Sequence, residues 1–128
     1  MSSEDASLYA QLERIFHEPK RLAIVSSLAG SARGKTFVQL KEECDLTDGN
    51  LSRHLKALSD DGIVDQAKAF VGMKPQTTAR LTSAGRTRFL QYLDTLEQVL
   101  NRAGDALSSA ARELEDVAGK AWPIPETA

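Results

Sequence analysis

One cysteine, Cys44, is all the thiol this 128-residue chain carries. That excludes an internal disulfide framework and a cysteine-rich zinc site. The two histidines, His17 and His54, stand far apart with no carboxylate cluster beside them, so no metal site is expected. Aromatic residues make up only 5% of the chain, and no apolar run approaches the roughly 18 residues that cross a bilayer. The opening Met1-Ser2-Ser3-Glu4-Asp5 has neither a basic n-region nor an apolar h-region, so no secretory signal is expected and the expected location is the cytoplasm. Nucleophile–base pairs and phosphate-cradling glycine loops are missing too. Neither an enzyme nor a cofactor is therefore expected.

An excess of positive charge is also lacking, since the net charge is −2. Its distribution is uneven. Residues 33–88 hold 10 Lys/Arg against 7 Asp/Glu, a net of +3, whereas residues 89–128 hold 3 against 7, a net of −4. A local cationic region suits a polyanion, and the acidic remainder argues against a broad, indiscriminate phosphate-binding surface.

The most fully specified stretch is Leu46–Ile63. Thr47 is a good N-cap, with Asp48 in the first turn at the positive end of the helix dipole. Leu46 and Leu51 have the spacing of a hydrophobic staple, and Gly62 suits a left-handed helix end with Ile63 packing after it. Leu51, Leu55 and Leu58 form one buried stripe. The other face offers Asn50, Ser52, Arg53, Lys56 and Ala57, short and partly cationic, as a helix in a DNA major groove requires.

Around this stretch the spacing predicts further elements. An amphipathic helix is expected from about Glu4 to Phe16, with Leu8, Leu12, Ile15 and Phe16 on one side. A second helix begins at Pro19, buries Leu22, Ile24, Val25 and Leu28, and stops at Gly30. Gly30–Lys35 reads as a loop. Thr36 and Gln39 have capping-box spacing, starting a helix at Phe37 that ends near Cys44 with Phe37, Leu40 and Cys44 inward. Asp45, Leu46 and Thr47 then join two helices as a helix-turn-helix, although an ordinary helical hairpin has the same pattern.

Residues 63–71 and Gln76–Leu81 read as two strands around a turn at Gly72-Met73-Lys74-Pro75. A helix-turn-helix followed by a β-hairpin describes a winged helix. Thr82 caps the next helix, where Gly85 permits close packing. From Phe89 the apolar positions Phe89, Leu93, Leu96, Leu100, Ala103, Leu107, Ala110, Leu114 and Val117 alternate gaps of four and three, as an a/d seam does. Dimerisation through Phe89, Leu93, Leu96, Leu100, Leu107 and Leu114, aided by Leu8 and Leu12, is expected. The competing arrangement is a hairpin broken near Gly104. The tail from Lys120 reads as non-helical, with Trp122 able to dock in a groove.

The run Asp48-Gly49-Asn50-Leu51-Ser52-Arg53-His54-Leu55-Lys56-Ala57-Leu58 resembles the recognition helix of winged-helix bacterial and archaeal transcriptional regulators of the MarR/ArsR-like type. The stretch Phe70–Arg86 resembles the wing and following helix of the same group, and the likeness covers about residues 18–100. It implies a dimeric DNA-binding regulator of transcription. Two departures stand out. Glu43-Cys44-Asp45-Leu46 lacks the paired cysteines of the metal-sensing members, and the wing tip has only Met73 and Lys74 where basic residues usually gather.

The expected fold class is mainly α with a small β-hairpin wing (α+β), a winged helix-turn-helix with a long C-terminal dimerisation helix. The expected division is an N-terminal helix (1–17), the DNA-binding domain (18–88), the dimerisation helix (89–119) and a tail (120–128). Candidate DNA contacts are Thr47, Gly49, Asn50, Ser52, Arg53 and Lys56. Arginine takes guanine and asparagine takes adenine bidentately, while Ser52 and Lys56 suit phosphates and Thr47 and Gly49 bring helix-terminal N–H groups. Lys68, Lys74, Gln76, Thr77 and Arg80 are weaker candidates on the wing, because strand register decides which of them face DNA. His54 reads as a structural residue, His17 as a helix-end residue and Cys44 as a small apolar one whose thiol pKa the adjacent Asp45 raises. The expected partners are double-stranded DNA and a second copy, with room for a small-molecule effector of unnamed chemistry and no membrane. A winged-helix assembly module without DNA binding is the alternative, and it would call for an acidic or apolar face at 49–57.

Overall fold

The computed structural model describes residues 3–118; the expected tail, with Trp122, lies outside them. The elements run α1 (Ser3–Ala10), α2 (Pro19–Ala29), β1 (Lys35–Thr36), α3 (Phe37–Glu43), α4 (Asp48–Asp60), β2 (Val64–Val71), β3 (Lys74–Leu81) and α5 (Ser83–Ala118). Two compact units divide the chain, one up to Thr95 and one from Leu96. None of the helices among the described residues is long and apolar enough to cross a membrane.

The first helix is shorter than its apolar spacing predicts. It ends at Ala10, and the chain continues in tight turns, with Gln11 N–H on Leu8 O and Leu12 N–H on Tyr9 O, both at 3.1 Å. The Arg21 guanidinium donates to the carbonyls of Ile15 (2.7 Å) and Arg14 (3.2 Å), so these groups are satisfied without a helix. Phe16 is then carried into the interior, fully buried.

The next two helices start as their caps dictate. The Glu18 carboxylate accepts from Arg21 N–H at 2.8 Å ahead of Pro19. Thr36 and Gln39 form a complete capping box, at 2.9 and 3.1 Å. The connection from α3 to α4 is closed by Leu46 N–H on Lys41 O (3.0 Å), with Asp45 in the left-handed region at φ 52°.

The sheet has three antiparallel strands in the order β1-β3-β2. The two-residue β1 starts at Lys35, the last residue of the stretch read as a loop, and pairs Lys35 with Ala79 and Thr36 with Thr78. The hairpin turn is also tighter than expected. It contains only Gly72 and Met73, with Gly72 at φ 65°, so Lys74 and Pro75 belong to β3. Pro75 is tolerated because β1 reaches no farther than Thr78, which leaves β3 an edge there.

The core of the first unit gathers Ile24, Val25 and Leu28 of α2, Leu40 of α3, Leu51, Leu55 and Leu58 of α4, and Ile63 and Val64. Each such side chain contributes about 1.5–3 kcal/mol by leaving water. Phe16, Phe89 and Tyr92 extend it, with the Phe16 ring 5.4 Å from each of the other two. Phe89, first of the seam series, is thus part of this core, and Leu8 is buried as well. His17, read as a helix-end residue, is bonded through Nδ1 to the Tyr92 hydroxyl at 2.7 Å.

α5 is one uninterrupted helix through Gly104 to Ala118, so the break considered there does not occur. Thr82 Oγ accepts from Gly85 N–H at 2.8 Å, the expected cap. Arg88 joins three segments. It donates to Glu13 at 2.7 Å and to Asp61 at 2.9 Å (carbonyl) and 3.2 Å (carboxylate). These acceptors hold its guanidinium firmly in the charged form.

Candidate nucleic-acid interface

Both ends of α4 are fixed by local bonds. Thr47 Oγ accepts from Asn50 N–H at 3.1 Å, and Asp48 stands in the first turn, paired with Lys41 at 2.8 Å. At the other end Gly62, φ 75°, donates its N–H to Ser59 O and Ile63 donates to Leu58 O, at 3.0 and 2.9 Å. This is the Schellman closure. Leu51, Leu55 and Leu58 face inward, and so does His54 at 8% exposure. Burial lowers the His54 pKa, opposed by the Glu18 carboxylate and reinforced by Arg21, Arg53 and Lys20. It sits behind the outward face rather than on it.

That outward face carries the residues singled out from sequence. Thr47, Gly49, Ser52, Arg53 and Lys56 are exposed and Asn50 is half-exposed. A side chain at Gly49 would meet open space, so the first turn is accessible to a large partner. Within the chain the polar groups are already engaged with one another. Arg53 Nη2 donates to Asn50 Oδ1 at 2.6 Å, and Lys56 pairs with Asp60 at 2.7 Å. Exposed pairs of this kind are weak, about 0–1 kcal/mol, so they orient the groups without withholding them. Spacings of three and four residues on one helix could have foretold both.

The hairpin register resolves the wing candidates. Cross-strand partners share a face, and the pairs Val64–Leu81, Gln66–Ala79, Lys68–Thr77 and Phe70–Pro75 define one side. Gln66 on that side donates to Ser59 Oγ at 2.9 Å, tying the hairpin base to α4. Lys68 and Thr77 therefore lie on the α4 side, whereas Lys74, Gln76 and Arg80 lie on the other. The five do not form one surface.

Sequence reasoning passed over other features. Arg33 comes beside Asp65 and Arg80 at a shallow hollow of about 470 Å³, brought there by the β1–β3 pairing. A second hollow, about 420 Å³, lies between α3 and the hairpin, lined by Phe37, Val38, Val71 and Pro75 among others. Lys35 is occupied internally by Glu43 at 2.7 Å and Ser27 at 3.0 Å, which holds the Glu43 carboxyl below its usual range. Cys44 is half-buried, and burial and then the Glu43 charge raise its thiol pKa, so the neighbour that acts is Glu43 rather than Asp45. That environment is the reverse of a reactive thiolate's.

Comparison with known proteins places this geometry. Residues 20–100 match the model of a winged helix DNA-binding domain family. An uncharacterized protein of Methanocaldococcus jannaschii is 35% identical over 86 residues, which cover 67% of this chain and 92% of that protein. The structure of a transcriptional regulator homologue from Pyrococcus horikoshii superposes with a TM-score of 0.70 at 27% identity, covering 80% of this chain and 98% of that one. A regulator of the MarR family from Enterococcus faecalis shares the fold, with a TM-score of 0.59 at 19% identity over 88% of this chain and 96% of that one. The chain belongs to the winged helix DNA-binding domain family.

Proposed function

We propose that the chain acts in the cytoplasm as a homodimer that binds double-stranded DNA sequence-specifically and represses transcription by occupying a pseudo-palindromic operator. One observation carries the reading. α4 buries its leucines and turns Asn50, Ser52, Arg53 and Lys56 outward, the side-chain types that pair with base edges and phosphates. An assembly module would have presented an acidic or apolar face there. The dimer is supported by Leu100, Leu107 and Leu114, which are 62%, 72% and 61% exposed at seam spacing. Two such readers on a two-fold axis call for half-sites about 10 bp apart, or a multiple of that. A cleft of about 440 Å³ lined by Gln11, Glu13, Gln91, Tyr92, Asp94 and Thr95 offers space for a small polar effector.

Selection of bound duplexes from a random library, followed by footprinting, tests the reading. The expected result is an inverted repeat protected at two half-sites, with Arg53→Ala losing at least tenfold in affinity while its sedimentation is unchanged. Failure to enrich any duplex, or undiminished binding by Arg53→Ala, overturns it.

A further inference from the structure

We infer that the tip of the β2–β3 hairpin is an apolar wedge for the minor groove of duplex DNA, with Met73 entering between base pairs and unstacking one step. This rests on the DNA-binding reading above. Met73 is 96% exposed, Phe70 76% and Val71 62%. Single exposed apolar side chains are ordinary, but three within four positions at one hairpin turn are not. The turn consists of Gly72 and Met73 alone, so Met73 leads. Phe70 and Val71 follow it on opposite faces of the hairpin.

Charge selects the occupant. From Gln66 to Ala79 the only ionisable side chains are Lys68 and Lys74, both exposed, with no carboxylate among them. An apolar point flanked by cations repels its own copy and an equally cationic surface. It suits a polyanion whose interior is a stack of apolar faces. A basic wing tip would read the groove by potential, and this tip has too little charge for that mode. Minor-groove proteins that insert Met, Phe or Leu offset the unstacking by bending DNA onto more protein surface. The minor groove is about 6 Å wide, which admits a two-residue tip but not a sheet. The Gln66–Ser59 bond holds the hairpin base against α4, so one scaffold carries both elements.

The test uses a duplex selected by the full chain, with 2-aminopurine placed at successive steps beside the half-site and a dye at each end. The expected result is a fluorescence rise at one step and energy transfer that reports a bend. Met73→Ser abolishes both and lowers affinity about tenfold, and Met73→Leu retains them. Met73→Ser also leaves the dependence of log K on log salt unchanged, whereas Lys74→Ala lowers that slope by about 0.9. Met73 touches no core, so these variants fold. A Met73→Ser chain that binds and bends like the original, or that loses salt dependence, overturns the wedge. A change in sedimentation of free Met73→Ser assigns the tip to chain–chain contact and overturns it as well. If the original chain selects no duplex, the DNA-binding reading fails first and the wedge falls with it. If it selects one without unstacking or bending, the wedge alone fails.

Discussion

Gly85 lies directly against the backbone of Ile63. A methyl group at residue 85 would stand 2.8 Å from the Ile63 Cα and closer still to its carbonyl oxygen. Ile63 is the residue that closes α4, and its carbonyl also accepts from Thr82 N–H at 2.9 Å. The start of α5 and the end of α4 are therefore in backbone contact. Gly85→Ala should destabilise the chain by about 1–3 kcal/mol, despite the better helix propensity of alanine. Denaturant unfolding measures it, and an unchanged or raised midpoint would show that the two segments can separate freely.

Asp45 adopts a left-handed conformation, φ 52°, at the turn between α3 and α4. An L side chain there costs about 1–2 kcal/mol, less for aspartate than for most. Asp45→Gly should raise stability by a few tenths to about 1 kcal/mol, and Asp45→Val should lower it by at least as much. Thermal unfolding of the two variants side by side decides the matter, since opposite signs are required.

Leu100 and Leu107 are exposed within the chain, so charging them removes nothing from the core of the first unit. On the proposed dimer, Leu100→Glu with Leu107→Glu should give monomers in sedimentation and weaken binding to a selected duplex by tenfold or more. A dimer that persists would show that Leu100 and Leu107 do not form its interface.

His54 is buried with its pKa lowered from 6.5. The unfolded chain therefore binds a proton more readily than the folded one. This contribution to stability is intact above pH 6.5 and is lost as pH falls from there towards the folded pKa. Glu18 and Glu43, lowered from 4.5, act in the same direction at lower pH. His54→Gln should flatten the dependence of melting temperature on pH between about 7 and 5.5. Identical pH profiles for the two proteins would refute the assignment.

Elements with locally written ends were legible in the sequence. Thr47, Gly62, and the Thr36–Gln39 box each act within a few residues, and the helices they delimit appear where expected. Non-local effects were not legible. The turns after α1 carry carbonyls met by the distant guanidinium of Arg21, and β1 exists only because Ala79 and Thr78, more than 40 positions away, pair with it. Pro75 signals a turn until a sheet edge makes it tolerable in a strand. Phe89 satisfies the seam periodicity yet packs with Phe16, because an aromatic core needed a third ring. For the candidate interface, composition and spacing identified the α4 face. Which wing residues share a side needed the register, and the exposed apolar tip needed the true two-residue turn.

The cations of the recognition region are already matched: Arg53 to Asn50, Lys56 to Asp60 and Lys41 to Asp48. Each pairing is exposed and worth about 0–1 kcal/mol, so a partner exchanges it at small cost. What the pairing supplies is one geometry for these side chains before any partner arrives, so less ordering entropy is lost when one does. On the proposed operator, that preorganisation should show as slow release rather than fast capture.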